Sequence, residues 1–597
     1  MRPQFLFLNA KNIPFRGYLF QDLKEEIFLT PENVIPEVVE EFFKRLEGAI
    51  RKGYYALGFL TYELGYLLEP RLNKLLPAPC FPLAYFALFR KVKPLYLYPL
   101  EKEEGFEIYL KGLNYSPEEY RLALSKIKNY IAKGDTYQVN FTVKLKYEFK
   151  GEPFKLFLSL LFSQRCEYAF YIEKPQFIIL SLSPELFLKK RRTLLLSSPM
   201  KGTLSRAPLE DRDRIQKRLL KKSPKVKAEN LMIVDLIRND LGKISTPGSV
   251  WVKKFLQIKT YPTLHQMIST VQGNLKEFSF YKIFQALFPC GSVTGAPKIR
   301  TMEIIRELEK EPRGVYTGAI GYLTPEGDFL FNVAIRTLVL EPLSQEHYRG
   351  ELGIGAGILW DSIEQEEYDE TLLKANFLLK RLPFFKIFET FWWSKDRENS
   401  LLWYHYQRML SSARYFKFVL PLALKSFQNF REYLEENLTH KTGYLLRVKV
   451  LLTPEGRIEL ETQEFKSLYW EKPLKVGLLQ RSTPLSVFHY HKTTHREEYD
   501  RAYLKAKELG LGEILFYNER GELLEGSISN IFLERGGHLY TPPLDLGILP
   551  GILRKKLISE GKVKEAFLTL EDLKNCSNLW IGNSLRGLGK VEDWIIL

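Results

Sequence analysis

The stretch Gly291-Ser-Val-Thr-Gly-Ala-Pro-Lys298 runs into an apolar-periodic segment over 299–308 and reads as a glycine-rich loop opening a helix. Backbone N–H groups of such a loop suit carboxylates or phosphates. A second glycine-rich stretch, Gly353-Ile-Gly-Ala-Gly357, also reads as a loop and precedes Asp361 and the acidic run Glu364, Glu366, Glu367, Asp369 and Glu370. Glu367 and Glu370 are three apart and share one helix face, while Glu229 lies in another helical pattern, 228–240. Carboxylates converging from two helices suit a hard cation such as Mg²⁺. Pro199-Met-Lys-Gly-Thr203 reads as a turn with one basic side chain, and Ser183-Pro-Glu185 ends an apolar strand.

The chain around these segments is globular. Its 597 residues are 45% hydrophobic and 26% charged, which excludes a small binding module and wholesale disorder. Lys+Arg 87 against Asp+Glu 71 leaves +16, spread along the chain with clusters at 189–192 and 217–227 but no basic tail. Acidic small substrates account for that sign as well as nucleic acid does, and no nucleic-acid partner is expected. Cysteines at 80, 166, 290 and 576 form neither a CxxC motif nor a disulfide framework. No apolar run reaches 18 residues, and 1–16 hold no small-residue cleavage site. A cytoplasmic location without membrane contact is expected.

Helical spacing predicts a helix over 36–52 and another over 117–133, the latter capped by Ser116 with Pro117 at N1 and Glu119 at N3. A helix over 371–381 stops near Pro383, and a strand is expected at 384–391. These breaks divide the chain into an N-terminal region 1–113, a catalytic domain 114–381, a linker 382–383 and an α/β unit 384–597.

Residues 134–140, 199–203, 228–240, 291–303, 313–322 and 353–371 together resemble the chorismate-utilising enzymes, and Tyr62-Glu-Leu-Gly65 resembles the family's first domain. The resemblance implies an α+β fold of antiparallel sheets with surrounding helices. Within the family it points to the large component of aminodeoxychorismate synthases, where a lysine at the place of Lys201 is the proposed nucleophile at C2 of chorismate. Anthranilate synthases have a small residue there. Isochorismate and salicylate synthases have a lysine base where this chain has Gln138. By the same resemblance Glu185 is the general acid. Gly202, Thr203, Tyr316, Arg336, Gly355, Ala356 and Gly357 bind chorismate, and Glu229 and Glu370, with Glu367 close by, hold Mg²⁺. His265 reads as either structural or substrate-facing. No Gly-x-Cys-x-Gly glutaminase elbow is present, which implies ammonia supplied by a separate glutamine amidotransferase subunit.

In the last zone stand His405-Tyr-Gln-Arg408, His491-Lys-Thr-Thr494, a segment opening at Glu525, and Gly547-Ile-Leu-Pro-Gly-Ile-Leu-Arg554. A lysine, a glutamate, an arginine and a helix start together support a pyridoxal phosphate site. The zone resembles the fold-type IV pyridoxal phosphate enzymes, the D-amino-acid aminotransferase-like fold. That implies Lys492 as Schiff-base lysine and Glu525 beside the pyridine nitrogen. Arg408 and the amides of Ile552 and Leu553 would take the phosphate. Type IV enzymes usually dimerise, so a homodimer through 384–597 is expected. The fusion favours a lyase that eliminates pyruvate to give 4-aminobenzoate, the folate precursor. The alternative is an anthranilate- or isochorismate-type synthase fused to a D-amino-acid or branched-chain aminotransferase.

Overall fold

The computed structural model describes residues 3–32, 34–78, 81–101, 105–395, 397–438, 445–465 and 467–597. Cys80 lies outside them; Cys166, Cys290 and Cys576 are free thiols. The chain forms two compact units, one running to Arg206 and resuming over Asp213–Phe384, the other made of Ala207–Arg212 and Phe385–Leu597.

The first unit is built on an 18-stranded antiparallel sheet system. One of its long pairings sets Gln138–Gly151 against His347–Ile358, with Gly357 opposite Asn140 and Gly355 opposite Thr142. Strands from before residue 114 belong to the same system: Tyr55–Leu60 pairs with Ala319–Leu323. The helix Pro36–Arg51 buries Val39, Phe42, Phe43 and Leu46 of the stripe its spacing predicts, and Ile50 besides, whereas Val38 of that stripe is exposed; Phe43 stacks on Phe284 at 5.4 Å. Pro117–Ala132 begins with the expected Ser116–Glu119 capping box.

Three segments differ from their expected form. Residues 353–357 are strand, not loop. A Cβ at Gly355 would come 2.2 Å from the Phe141 carbonyl oxygen and one at Gly353 would enter the Tyr316 ring, so these glycines serve close packing rather than a turn. Residues 200–203 are also strand, within Met200–Ser205. Met200 pairs with Ile268 but Thr203 with Gln266, so one extra residue bulges out at Lys201-Gly202, where Gly202 has φ +89. The helix expected from 371 starts about two turns earlier, at Glu364. Glu364, Glu366 and Glu367 fill its first turn, where the helix dipole favours acids.

The second unit has a three-stranded antiparallel sheet (Ile387–Trp393, Leu446–Leu452, Ile458–Glu464) and a nine-stranded mixed sheet. In the latter Lys475–Gln480 and Glu513–Tyr517 run parallel. Val476, Leu478, Leu515, Ile531, Leu533 and Ile581 form its main core. Among the described residues no helix is long and apolar enough to cross a membrane.

Candidate active sites

In the first unit the bulge aims Lys201 at the paired strands. A Cβ on Gly357 would stand 2.3 Å from Gln138 Nε2, 3.1 Å from Asn140 Oδ1 and 3.3 Å from Lys201 Nζ. Lys201, Gln138 and the 353–357 strand therefore share one small space. Burial lowers the Lys201 pKa; Glu229, Glu185 and Glu370 pull the other way, and Lys374 adds repulsion. The bulge is braced from behind, because a Cβ on Gly202 would strike Val226 Cγ1 at 2.1 Å. Val226 belongs to the helix Pro224–Gly242, which also carries Glu229.

Glu185 follows the strand Ile178–Ser183 and is buried. Its Oε1 accepts from Ser292 Oγ at 2.6 Å and from Met200 N–H at 3.3 Å. Burial raises its pKa to about 7, the Ser292 and Met200 bonds and the Lys201 charge opposing only in part. The stretch 291–298 thus serves Glu185 through the Ser292 hydroxyl, a link that sequence spacing does not reveal. Arg336, at φ +50, donates from Nη1 to Gln164 Oε1 at 2.9 Å. His265 is fully buried between Asp213 Oδ1 (2.8 Å from Nε2) and Thr260 Oγ1 (3.1 Å from Nδ1).

The three acids expected at a metal are all hard oxygen donors in one electrostatic neighbourhood. Lys201 interacts with Glu229 and Glu370, Lys225 with Glu229 and Glu367. Glu370 is paired with Lys374 at 2.7 Å, and Glu367 accepts from Ser362 Oγ at 2.6 Å. Among the described residues no three acidic, histidine or cysteine side chains are gathered to hold a metal. The carboxylate oxygens of Glu229, Glu367 and Glu370 are the donor type that Mg²⁺ takes, and an ion there would draw its other ligands from outside these side chains.

In the second unit Phe388, Arg408, Lys492, Arg496, Glu525 and Ile552 are among the residues lining a cavity of about 520 Å³, ample for a cofactor and a small substrate. Burial brings the Lys492 pKa down to about 7. Arg496 and Arg408 add repulsion, while Glu389 and Glu525 attract. Glu525 accepts from Tyr499 OH at 2.7 Å and Leu549 N–H at 3.0 Å, and burial raises it to about 7 against those bonds. Arg408 makes a two-pronged bond to Glu389, 2.7 Å on each prong, and donates to Pro550 O at 3.2 Å. Although burial opposes it, Arg408 and His405 hold Glu389 at about 2. The helix Ile552–Ser559 opens at Gly551, where a Cβ would overlap Asn530 Oδ1 at 1.7 Å. The first amides of a helix have no partner within it, so Ile552 and Leu553 N–H suit a phosphate. The Leu553 side chain itself points elsewhere, into a core with Phe532 and Leu557. The set of lysine, held glutamate, arginine and helix start fits pyridoxal phosphate.

Sequence spacing missed four contributors here: Glu389, which fixes Arg408; Tyr499, which orients Glu525; Arg496; and Glu513. Buried Glu513 accepts from Ile528 N–H (2.5 Å), Ser529 N–H (3.0 Å) and Ser529 Oγ (2.7 Å), bracing the loop after Glu525. Glu389 had a readable signal, an acid in an otherwise apolar strand.

The chain belongs to the chorismate binding enzyme family, whose model matches residues 5–380. Residues 386–594 match a second family, amino-transferase class IV, so the two domains are fused. Among relatives, the aminodeoxychorismate synthase component 1 of Klebsiella aerogenes is 39% identical over 45% of this chain and 59% of that protein. The anthranilate synthase component 1 of Aquifex aeolicus is 36% identical over 48% and 57%. The chain thus spans somewhat more than half the length of these curated relatives. The solved anthranilate synthase component I of Streptococcus pneumoniae is 25% identical, with TM-score 0.52 over 61% of this chain and 92% of that one.

Two outcomes follow from the geometry. Gly357→Ala should fold, yet lower the turnover of this site about tenfold or more, since the methyl displaces Gln138 or Lys201; circular dichroism and steady-state rates check this. Lys492 in the cofactor-free protein should react with acetic anhydride with a midpoint near pH 7. The unprotonated amine reacts, so labelling rises with pH. A midpoint near that of ordinary lysines, read by peptide mass spectrometry, would contradict the burial argument.

Proposed function

We propose that the first unit makes 4-amino-4-deoxychorismate from chorismate and ammonia, and that the second removes pyruvate from it to leave 4-aminobenzoate for folate. The observation that carries this reading is the space around Gly357, where a depressed lysine, Lys201, stands beside Gln138. Glutamine cannot serve as a base for water, whereas an unprotonated lysine amine is itself a nucleophile. Lys201 Nζ adds at C2, the double bond shifts, and the C4–O bond breaks as Glu185 gives its proton to the departing hydroxyl. Ammonia then adds at C4 while the C2–N bond to Lys201 breaks. Gly202, Thr203, Tyr316, Arg336 and the 355–357 backbone would bind the substrate. Glu229 and Glu370, with Glu367 alongside, would hold Mg²⁺, which would supply positive charge for the ring carboxylate.

In the second unit Arg408 and the Ile552 and Leu553 amides would bind the phosphate of pyridoxal phosphate, and Glu525 its pyridine nitrogen. Bound there, the cofactor supplies an electron sink. Lys492 moves a proton from the amine-bearing carbon, and aromatisation of the ring drives loss of the enolpyruvyl group. A separate glutamine amidotransferase subunit would supply ammonia, for which concentrated ammonium substitutes. A homodimer through 384–597 belongs to the same reading; sedimentation at monomer mass would refute it.

The purified chain, given chorismate, Mg²⁺, pyridoxal phosphate and ammonium, should release 4-aminobenzoate and pyruvate. Anthranilate as product would move the first unit to the other relatives' chemistry. Accumulation of 4-amino-4-deoxychorismate by the unaltered chain would make the second unit an aminotransferase.

A further inference from the structure

Phe388 lies at the wall of the second unit's cavity with three cations around its ring. Lys492 Nζ stands 4.7 Å from the ring centroid, Lys449 Nζ 5.3 Å and the Arg496 guanidinium 5.8 Å. Arg496 also lies 5.2 Å from the Tyr499 ring and is fixed by Ser527 O (2.5 Å) and Asp500 (3.0 Å). Seven lysines and arginines line the cavity against three acids. Lys492 and Arg408 are assigned to the cofactor, whereas Arg496 acts there only through its charge on Lys492 and Lys449 has no such role. Their nearest acids, Asp500 and Glu461, are 62% and 61% exposed, so those pairs neutralise little of the charge facing inward. Like charges gathered at one aromatic wall are costly until an anion joins them.

We propose that Arg496, with Lys449 across the Phe388 ring, is the specificity element of this cavity: it receives a carboxylate other than the cofactor's phosphate, and selects substrates with two carboxylates on a small ring over monocarboxylic amino acids. This rests on the reading that the second unit consumes the first unit's product, which carries a ring carboxylate and an enolpyruvyl carboxylate. A simple amino acid brings one carboxylate and leaves the Arg496–Lys449 pair without a partner.

The test titrates isophthalate and benzoate into the full chain loaded with pyridoxal phosphate, read by the cofactor's absorption so that binding in the first unit stays silent. Isophthalate should bind about tenfold tighter or more. Arg496→Gln should erase that preference and raise KM for 4-amino-4-deoxychorismate, while cofactor affinity stays within about twofold. Lys449→Gln should weaken the preference in part. An unchanged preference in Arg496→Gln overturns the proposal. So does loss of pyridoxal phosphate and of inorganic phosphate binding, which would assign Arg496 to the cofactor. If Arg496→Gln does not fold, Lys449→Gln decides alone: a reduced preference supports the proposal and an unaltered one overturns it. Preference for isophthalate in a chain that forms no 4-aminobenzoate would sink the reaction assigned above and leave the carboxylate site standing.

Discussion

Lys201→Ala is expected to lower ammonia-dependent conversion of chorismate about 10³-fold or more, with the fold and the second unit's cofactor binding intact. The size follows from position. Lys201 sits on the bulge of Met200–Ser205, its amine within reach of the 353–357 strand and depressed by burial. Lys201 Nζ stands with Gln138 and Asn140 against Gly357, whereas the neighbouring Lys374 Nζ donates to Gly355 O at 2.7 Å and to that extent is already engaged. Lys201→Arg should not restore activity, because a guanidinium stays protonated. The unaltered enzyme's pH profile carries a second signature. Glu185 must be protonated to act as an acid, and its pKa is raised to about 7, so kcat/KM should fall as pH rises through about 7. Glu185→Gln should remove that limb along with most of the rate. Full activity in Lys201→Ala would mean that ammonia attacks unaided.

Lys492→Ala should stop the pathway midway. 4-Amino-4-deoxychorismate accumulates at the rate of the first unit, while 4-aminobenzoate and pyruvate fall to the uncatalysed level, a loss of about 10³-fold or more. Chromatography of one reaction mixture measures both. The variant should still take up pyridoxal phosphate, with lower affinity, because Arg408, Glu525 and the Ile552 helix start remain. Undiminished 4-aminobenzoate in Lys492→Ala would take the second step away from this unit.

Much of the architecture was readable from local chemistry. The Ser116–Glu119 box, the 36–52 stripe and the helix after Gly551 rest on neighbours within a few residues, where capping and spacing act. The errors lie where a distant segment decides. Glycines 353–357 look like a loop until Phe141 and Tyr316 press against them. The 199–203 segment looks like a turn until Ile268 and Gln266 set its register. The site followed the same rule. Lys201, Glu185, Lys492 and Glu525 stood out through the resemblance to the two families, not by type and spacing alone. Their partners Ser292, Glu389, Tyr499 and Glu513 are ordinary polar residues that only the fold brings near. The three acids of the metal expectation were legible as a set, yet Lys374 and Ser362 hold two of them.

The most direct test of the central claim is the intact mass of the protein after exposure to chorismate and Mg²⁺ without ammonia. If Lys201 is the nucleophile, the chain gains one chorismate less one water on the peptide carrying Lys201, and ammonium discharges it. Lys201→Ala gains nothing. An unaltered chain that stays unmodified, together with a Lys201→Ala variant that still turns over with ammonium, would contradict the account.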